Sequence, residues 1–463
     1  MRGRGYTSGG ASSKQMLEKE TFTIDDEISH LTKIRSEPCE NVRRAMPNEQ
    51  KKLIPMIKML SGREFNYSGK GRFSLADCSH LLGRCLPINL CGGEGMDSEA
   101  YVSQFSSDGS LFIVGCRRSH IRIYNVDRGW KVQKDISARS LRWTITDTSL
   151  SPDKRFLVYS SLSPIVHIVN VGTPETESRA NVTDIHEGLD FSDHADSDYS
   201  FGIFSVKFST DGRELVAGSN GDSIHVYDLE ANKMTLQIPA HTADVNTVTF
   251  ADETGHLIFS GSDDNLCKVW DRRCFTSTGK PEGILTGHLE GITFIDSRGD
   301  GRYFISNGKD QTTKLWDIRR MSSTPKFSTP KRFYWDYRWD EYPAEARRQK
   351  HSSDQSLATY RGHSVLCTLI RCYFSPAYST GQKYIYTGSN DGCVYIYDVV
   401  TGVTVARLER HAATVRDCSW HPYFPMLVSS SWDCSIARWE FPGNDEDPGL
   451  PKKKARRRRS LRL

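Results

Sequence analysis

Leu257-Ile258-Phe259-Ser260-Gly261-Ser262-Asp263-Asp264-Asn265-Leu266-Cys267-Lys268-Val269-Trp270-Asp271 and Tyr303-Phe304-Ile305-Ser306-Asn307-Gly308-Lys309-Asp310-Gln311-Thr312-Thr313-Lys314-Leu315-Trp316-Asp317 align without a gap. Each reads as an apolar strand, a polar turn closed by Asp, and a second, alternating strand that ends on Trp-Asp. Working outward, the same grammar returns in Val216 to Tyr227-Asp228, Tyr384 to Tyr397-Asp398 and Met426 to Trp439-Glu440. Two weaker copies, Leu111 to Tyr124-Asn125 and Phe156 to Val169-Asn170, keep the rhythm without the terminal pair. The terminal aromatics lie 43 residues apart from Tyr227 to Trp270, 46 to Trp316, and 42 from Tyr397 to Trp439. That period belongs to one four-stranded propeller blade. Seven copies predict an all-β, seven-bladed β-propeller over 84–441, with insertions near 172–199 and 321–358 placed in loops.

Composition sets the class. The chain has 463 residues, 37% hydrophobic and 25% charged, with a mean hydropathy of −0.52. These are globular proportions. No apolar run approaches the roughly 18 residues of a membrane span, and no signal peptide is evident. A cytoplasmic or nuclear location is expected. Twelve scattered cysteines without a CxxC pair read as reduced thiols. The net charge of +4 hides an asymmetry, because residues 452–463 carry eight basic residues and no acid, which leaves residues 1–451 at −4. A slightly acidic body argues against a nucleic-acid-binding surface.

A His precedes several copies, in Ala240-His241, Gly287-His288, Gly362-His363 and Arg410-His411. This pattern resembles the WD-repeat family, in which such a His, a strand Ser or Thr, the turn Asp and the Trp form a buried hydrogen-bonded set. The resemblance implies one set of His288, Ser306, Asp310 and Trp316, and another of His411, Ser429, Asp433 and Trp439. Their role is structural, since each member satisfies a polar group that burial would otherwise penalise. In blade three the acid has slipped from the expected Gly221 to Asp222. The last copy ends at Trp439-Glu440-Phe441 before its outermost strand, so ring closure needs a strand from the N-terminal side, expected at Arg84 to Cys91.

Outside the ring, residues 1–20 are Gly, Ser and charge and read as a disordered arm. Residues 21–70 read as a helical extension. Ile24, Ile28, Leu31 and Ile34, with Thr23 before Asp25-Asp26-Glu27, form an amphipathic helix with Thr23 as its N-cap, and a second helix is expected from Pro47 to Leu60. Such helices either pad the ring or dock on a partner. The tail, 442–463, contains Lys452, Lys453, Lys454, Arg456, Arg457, Arg458 and Arg459, a run that reads as a nuclear-import signal engaging importin or as a nucleic-acid contact. The insertion Phe333-Tyr334-Trp335-Asp336-Tyr337-Arg338-Trp339-Asp340 is aromatic enough to pack on the ring or on a partner.

No Walker loop, HExxH, GxSxG or GxGxxG follows a strand, so no catalytic residue and no cofactor is expected. Asp193, His194, Asp196 and Asp198 read as a solvated acidic loop rather than a metal site. Blade ends carry the sharper signal. Trp270-Asp271-Arg272-Arg273 and Trp316-Asp317-Ile318-Arg319 both have the form WDxR in successive blades, and Ile258 to Arg273 and Phe304 to Arg319 resemble the box of substrate receptors of cullin-four RING ubiquitin ligases. Trp335-Asp336-Tyr337-Arg338 fits the short form but follows no propeller strand. With Gly291 to Ser297, Thr359 to His363 and Leu369 to Cys372, the chain over about residues 70 to 440 resembles the adaptor-associated factor eleven family and its plant embryonic-cell-type relatives.

The resemblance implies a non-catalytic substrate receptor. Asp271, Arg273, Asp317 and Arg319 would meet the damage-binding adaptor of the ligase, Arg supplying a rigid, weakly hydrated fork that Lys lacks. Independently, Arg142, Asp244, Asn246, Arg371 and Arg416 stand near inner-strand starts and are candidates for holding a target protein at the channel mouth. The alternative is a WD-repeat scaffold of a nuclear RNA-processing or chromatin assembly without a ubiquitin role. A third class, a propeller hydrolase, calls for several acids at those strand starts, and Asp244 alone fits it.

Overall fold

In the computed structural model, which describes residues 24–37, 56–64, 73–171, 185–192, 201–274, 280–325 and 334–442, local turn chemistry builds each repeat. Strands Leu257–Ser262 and Leu266–Asp271 are joined by a turn in which Asn265 takes φ 70° and the Asp264 carboxylate accepts the Leu266 N–H at 3.0 Å. Gln311 and Cys434 hold the same left-handed position, with Asp310 and Asp433 capping Thr312 and Ser435 at 3.2 and 3.0 Å. The short acidic side chain mimics a backbone acceptor and fixes the reversal. With other turn residues in blades 1–3, such hairpins build seven four-stranded antiparallel sheets. Apolar faces meet between blades; Val226 and Val216 of blade 3, for example, pack with Val248, Ile258 and Trp270 of blade 4.

The ring closes by pairing the two ends of the chain. The outer strand of blade 7 is Asn89–Gly95, running against Ser435–Glu440 in the register Asn89↔Glu440 to Gly95↔Ser435. This corrects the expected span of Arg84 to Cys91. Residues 84 and 85 instead finish a helix, donating to Leu81 and Leu82, and the strand that follows is rich in glycine, which carries no strand signal. Gly93 is needed there, because a Cβ would stand 2.9 Å from the Ile436 carbonyl oxygen.

Inner strands share one irregularity. In blades 1–5 and 7 the register slips at Tyr101, Thr146, Phe204, Asn246, Thr293 and Arg416. Such a bulge turns the extra residue out of the ladder and frees neighbouring N–H groups. The previous blade satisfies them. Val206 N–H donates to Asp147 at 3.0 Å, Val248 N–H to Ser205 at 3.3 Å, Ile295 N–H to Thr247 at 3.2 Å and Ser103 N–H to Asp417 at 2.8 Å. A second rung joins Phe208 to Ser149, Phe105 to Ser419 and Phe374 to Asp296.

Among the described residues, three longer helices and one short helical turn lie outside or between the strands: α1 (Asp26–Ser36), α2 (Met56–Glu64), α3 (Leu75–Leu82) and α4 (Ala377–Thr380). Asp25, not Thr23, caps α1, accepting the Glu27 N–H at 2.9 Å. The second expected helix begins at Met56 rather than Pro47, residues 47–55 lying outside the described residues. Sequence reading passed over α3, although Ser74 and Asp77 form a reciprocal capping box. It seats on blade 6 through Ser79, which donates to the Tyr378 carbonyl at 3.0 Å. Ile28 of α1 is wholly buried beside Tyr303 and Tyr360, which is worth about 1.5–3 kcal/mol.

The insertions also resolve into strands and caps. His186–Asp190 is the outer strand of blade 2, so the first insertion is not all loop. In the second, Ser322 bridges Ile284 on the outer edge of blade 4, Trp335 and Tyr342 pack with Leu366, and Ala358–Arg361 is the outer strand of blade 5. The segments 1–20 and 443–463 lie outside the described residues.

Asp147 concentrates the inner network. Its carboxylate, fully buried, accepts from Lys207 at 2.8 Å and Arg371 at 2.9 Å as well as from Val206. Burial pushes this carboxyl up, but the Lys207 and Arg371 cations outweigh it and hold it at about 2. A folded-state value below the unfolded one gives stability that is present at neutral pH and lost as pH falls from the ordinary carboxylate range toward 2. Asp147→Asn is expected to lower stability at pH 7 by about 3–5 kcal/mol, because the buried Arg371 and the partly buried Lys207 lose their shared anion. Denaturant unfolding at pH 7 and pH 3 checks both points: the deficit should be large at pH 7 and should shrink at pH 3.

Candidate functional site

The WDxR turns of blades 4 and 5 sit where the third strand of each blade ends, at Asp271 and Asp317, on the lower face of the ring. Asp271 Oδ1 accepts the Arg273 N–H at 3.0 Å, and the same carboxylate accepts Arg273 Nε at 2.9 Å and Nη2 at 2.5 Å. Asp317 repeats the first bond, to Arg319 N–H at 3.0 Å. The acid therefore shapes a tight turn that lifts the following arginine off the strand; both arginine side chains are about two-thirds exposed, 64% and 65%. Hydrogen bonds from Arg273 keep the Asp271 carboxyl down at about 2, so the pair is ionised at neutral pH.

The two turns differ in their neighbours. Asp317 is itself buried and clamped by Arg302, whose Nε lies 3.1 Å from Oδ1 and whose Nη2 lies 2.7 Å from Oδ2. Glu27 of α1 accepts from Arg302 and, at 3.4 Å, from Arg319. Asp336 accepts the Arg338 N–H at 2.9 Å, the same local turn, but Tyr337 lies under Lys309, in the turn at the opposite end of the blade 5 strand that finishes at Asp317. The third WDxR thus belongs to the upper face.

Of the five residues expected at the channel mouth, three lie inside the ring. Asn246 and Arg416 are bulge residues, and with Arg371 they line the throat, where the free volume is only about 10 Å³. Arg371 donates to Asp147 and to the Thr146 carbonyl, each at 2.9 Å; Arg416 reaches the carbonyls of Tyr101 and Thr146; Asn246 donates to Asp263 at 2.6 Å and to the Ile292 carbonyl at 2.8 Å. Position near a strand start does not expose a side chain that the bulge directs into a closed throat. Arg142 and Asp244 remain on the upper face. Arg142 is exposed beside Trp143, a half-exposed indole held at φ 68° against the Tyr101 ring. Burial, with Asp263 and Asp222 nearby, raises the Asp244 carboxyl. Tyr334 and Trp339 from the second insertion stand out in solvent on this side.

Both expected polar sets are assembled. His288 Nδ1 lies 3.0 Å from Asp310 and Nε2 lies 2.6 Å from Ser306 Oγ, which accepts the Trp316 indole N–H at 2.7 Å. For His411, Asp433, Ser429 and Trp439 the corresponding distances are 3.0, 2.8 and 2.9 Å. A third set, His241 with Asp264, Ser260 and Trp270, has 2.8 Å at each contact and was legible from Ala240-His241. Burial lowers His241 and His411, keeping the imidazoles neutral so that Nδ1–H donates to Asp and Nε2 accepts from Ser. His363 departs from the rule, bonding Tyr397 at 3.0 Å and reaching back to Asn307 of blade 5 at 2.9 Å. These sets are sealed in the blades and offer no exposed nucleophile. The basic run Lys452 to Arg459 and the stretch Asp193 to Asp198 lie outside the described residues.

Residues 189–228, 232–271, 279–317, 354–398 and 402–440 match the family pattern described as WD domain, G-beta repeat. Over 98% of its length the chain is 67% identical to a LEC14B homolog of Prunus armeniaca, covering 95% of that protein, and over 94% it is 65% identical to the LEC14B protein of Lithospermum erythrorhizon, covering 93%. It is 37% identical, over 84% of the chain and 69% of the relative, to a DDB1- and CUL4-associated factor 11 homolog of Caenorhabditis elegans.

Ser306→Ala would leave the His288 Nε2 and the Trp316 indole N–H buried without partners. The expected loss is about 2–4 kcal/mol of stability with the fold retained. A lowered urea midpoint with unchanged far-ultraviolet circular dichroism in the native baseline would show it, and an unchanged midpoint would count against the set as a stabilising unit.

Proposed function

The chain belongs to the WD-repeat family that includes the LEC14B proteins and the DDB1- and CUL4-associated factor 11 homologues, and from that premise we propose that it is a substrate receptor of a cullin-four RING ubiquitin ligase. One observation carries the reading: two successive blades end in the same Asp-fixed turn, each offering an exposed arginine on one face of the ring. Asp271, Arg273, Asp317 and Arg319 contact the damage-binding adaptor. Arginine suits this contact because its planar fork binds carboxylates and carbonyls in fixed geometry at low dehydration cost.

The receptor performs no bond chemistry of its own. It raises the effective concentration of a target's lysines near a charged conjugating enzyme by holding adaptor and target on opposite faces. The target surface is the upper mouth, where Arg142, Asp244 and the exposed rings of Trp143, Tyr334 and Trp339 supply polar and aromatic anchors of the kind that dominate protein interfaces. Lys452, Lys453, Lys454, Arg456, Arg457, Arg458 and Arg459 engage importin, so that the protein works in nucleus and cytoplasm.

Affinity purification of the tagged wild type beside the Arg273→Ala, Arg319→Ala double variant tests the assignment. Adaptor and cullin are expected with the wild type and should fall by about tenfold or more with the variant while its melting temperature is preserved; equal recovery from both refutes the contact. Replacing Lys452, Lys453, Lys454 and Arg456 to Arg459 by Ala should move a fluorescent fusion out of the nucleus without altering adaptor recovery, and unchanged nuclear signal would remove the import role.

A further inference from the structure

The acidic first turn of α1 lies on a group of arginines. Arg302 is bridged between Asp317 and Glu27, Arg319 reaches Glu27 at 3.4 Å, and Arg320 donates to Asp25 at 3.2 Å. Beneath them Arg298 is almost completely covered, at 4% exposure. Its Nη2 donates to Thr32 of α1 at 3.3 Å, yet its Nε and Nη1 have no hydrogen-bond partner. Burial, reinforced by the like charge of Arg35, draws this guanidinium down to about 10. Asp300 Oδ2 lies 3.8 Å from Nε, close enough to offset part of the charge but beyond hydrogen-bond reach, so two donor nitrogens of this buried guanidinium stay unbonded, at a cost in free energy.

Blade 4 offers the contrast. Among the described residues Arg273 hydrogen-bonds only to its own Asp271. The same sequence motif is thus open in one blade and occupied in the next. What occupies it is a helix end carrying Asp25, Asp26 and Glu27; further along, the helix is anchored by buried Ile28 and Thr32 and by Arg35, which donates to Gln382 at 2.6 Å, whereas at its acidic end Glu27 and Arg319 stay largely exposed. Exposed pairs of that kind hold weakly.

We propose that α1 is a cis-bound occupant of a basic recess on blade 5, formed by Arg298, Arg302, Arg319 and Arg320, and that this recess, once α1 leaves, takes an acidic segment of a partner protein. The complementarity is already displayed by the resident ligand, which is acidic and helical. A partner whose carboxylates reach the idle donors of Arg298 gains contacts that α1 does not make. Because Arg319 is also assigned to the adaptor, α1 and the adaptor compete for one edge of the ring; on that point alone the proposal rests on the receptor reading.

The test uses the full chain as wild type and as an Asp25→Ala, Glu27→Ala, Ile28→Ser variant, with a labelled peptide of residues 24–37 as the first probe and purified adaptor as the second. The variant is expected to bind the peptide about tenfold more tightly than wild type, with the affinity lost at high salt and on adding Arg302→Gln. Equal binding by both proteins, or none by the variant, overturns the recess. The variant should also bind the adaptor about fivefold more tightly; unchanged or weaker binding overturns the competition. Failure of both proteins to bind the adaptor while the peptide still binds would refute the receptor reading and leave the recess standing.

Discussion

Everything in this ring depends on how the inner strands are finished. A propeller blade has one strand edge facing the axis, and its N–H groups need acceptors where there is little room for water. Here the inner strand bulges at the same position in six blades, and Ser, Thr or Asp side chains of the preceding blade accept the N–H groups beyond it, two residues apart in blades 1 and 3 and singly in blades 4 and 5. The blades are thereby joined by hydrogen bonds as well as by apolar contact. Where the acceptor is Asp147 or Asp417 a charge is buried too, and Arg371 lies between both carboxylates, 2.9 Å from Asp147 and 3.4 Å from Asp417. Among the described residues, Asn246, Arg371 and Arg416 spend their polar groups on these fastenings, and the cavity beside them is only about 10 Å³.

That constraint explains what the sequence told and what it hid. The hairpins were legible because alternation, an Asp-closed turn and a terminal aromatic are local signals, and Asp264, Asp310 and Asp433 do in the structure what a turn acid does anywhere. The polar sets were legible for the same reason, each residue holding a fixed place in a repeat. Asn246 and Arg416 were misjudged because the bulge that buries them is not a property of their own neighbourhood, and Arg371 because the carboxylates that draw it inward, Asp147 and Asp417, stand in other blades. The closing strand was displaced because Gly92, Gly93 and Gly95 carry no strand propensity, and of these only Gly93 is required by a close approach, that of the Ile436 carbonyl. Helix α3 was missed although Ser74 and Asp77 spell a capping box, the pattern being short and followed by only two turns of helix.

The WDxR turns show how far a motif can be trusted alone. Asp271, Asp317 and Asp336 all accept the N–H two residues on, at 2.9 to 3.0 Å, so the four-residue pattern specifies a turn and an outward arginine wherever it occurs. It does not specify a face. Arg338 lies on the upper side, over the Tyr337 ring, on an insertion and not at the end of any described propeller strand. The preceding strand, by contrast, delivers Arg273 and Arg319 to one face. A docking surface on a propeller is therefore written in two layers, with the turn giving the side chain its exposure and the blade giving it its address.

The same distinction separates the two boxes from each other. Their turns are equivalent, but the loop before the second strand of blade 5 contributes Arg298 and Arg302, and these bring α1 down onto the box. Arg302 is shared between Asp317, which belongs to the turn, and Glu27, which belongs to the helix, so movement of α1 is felt at the carboxylate that shapes the second box and not at the first. Repetition supplies equal blades; the segments outside the repeat make them unequal, and a partner that reads both arginines reads the position of α1 as well.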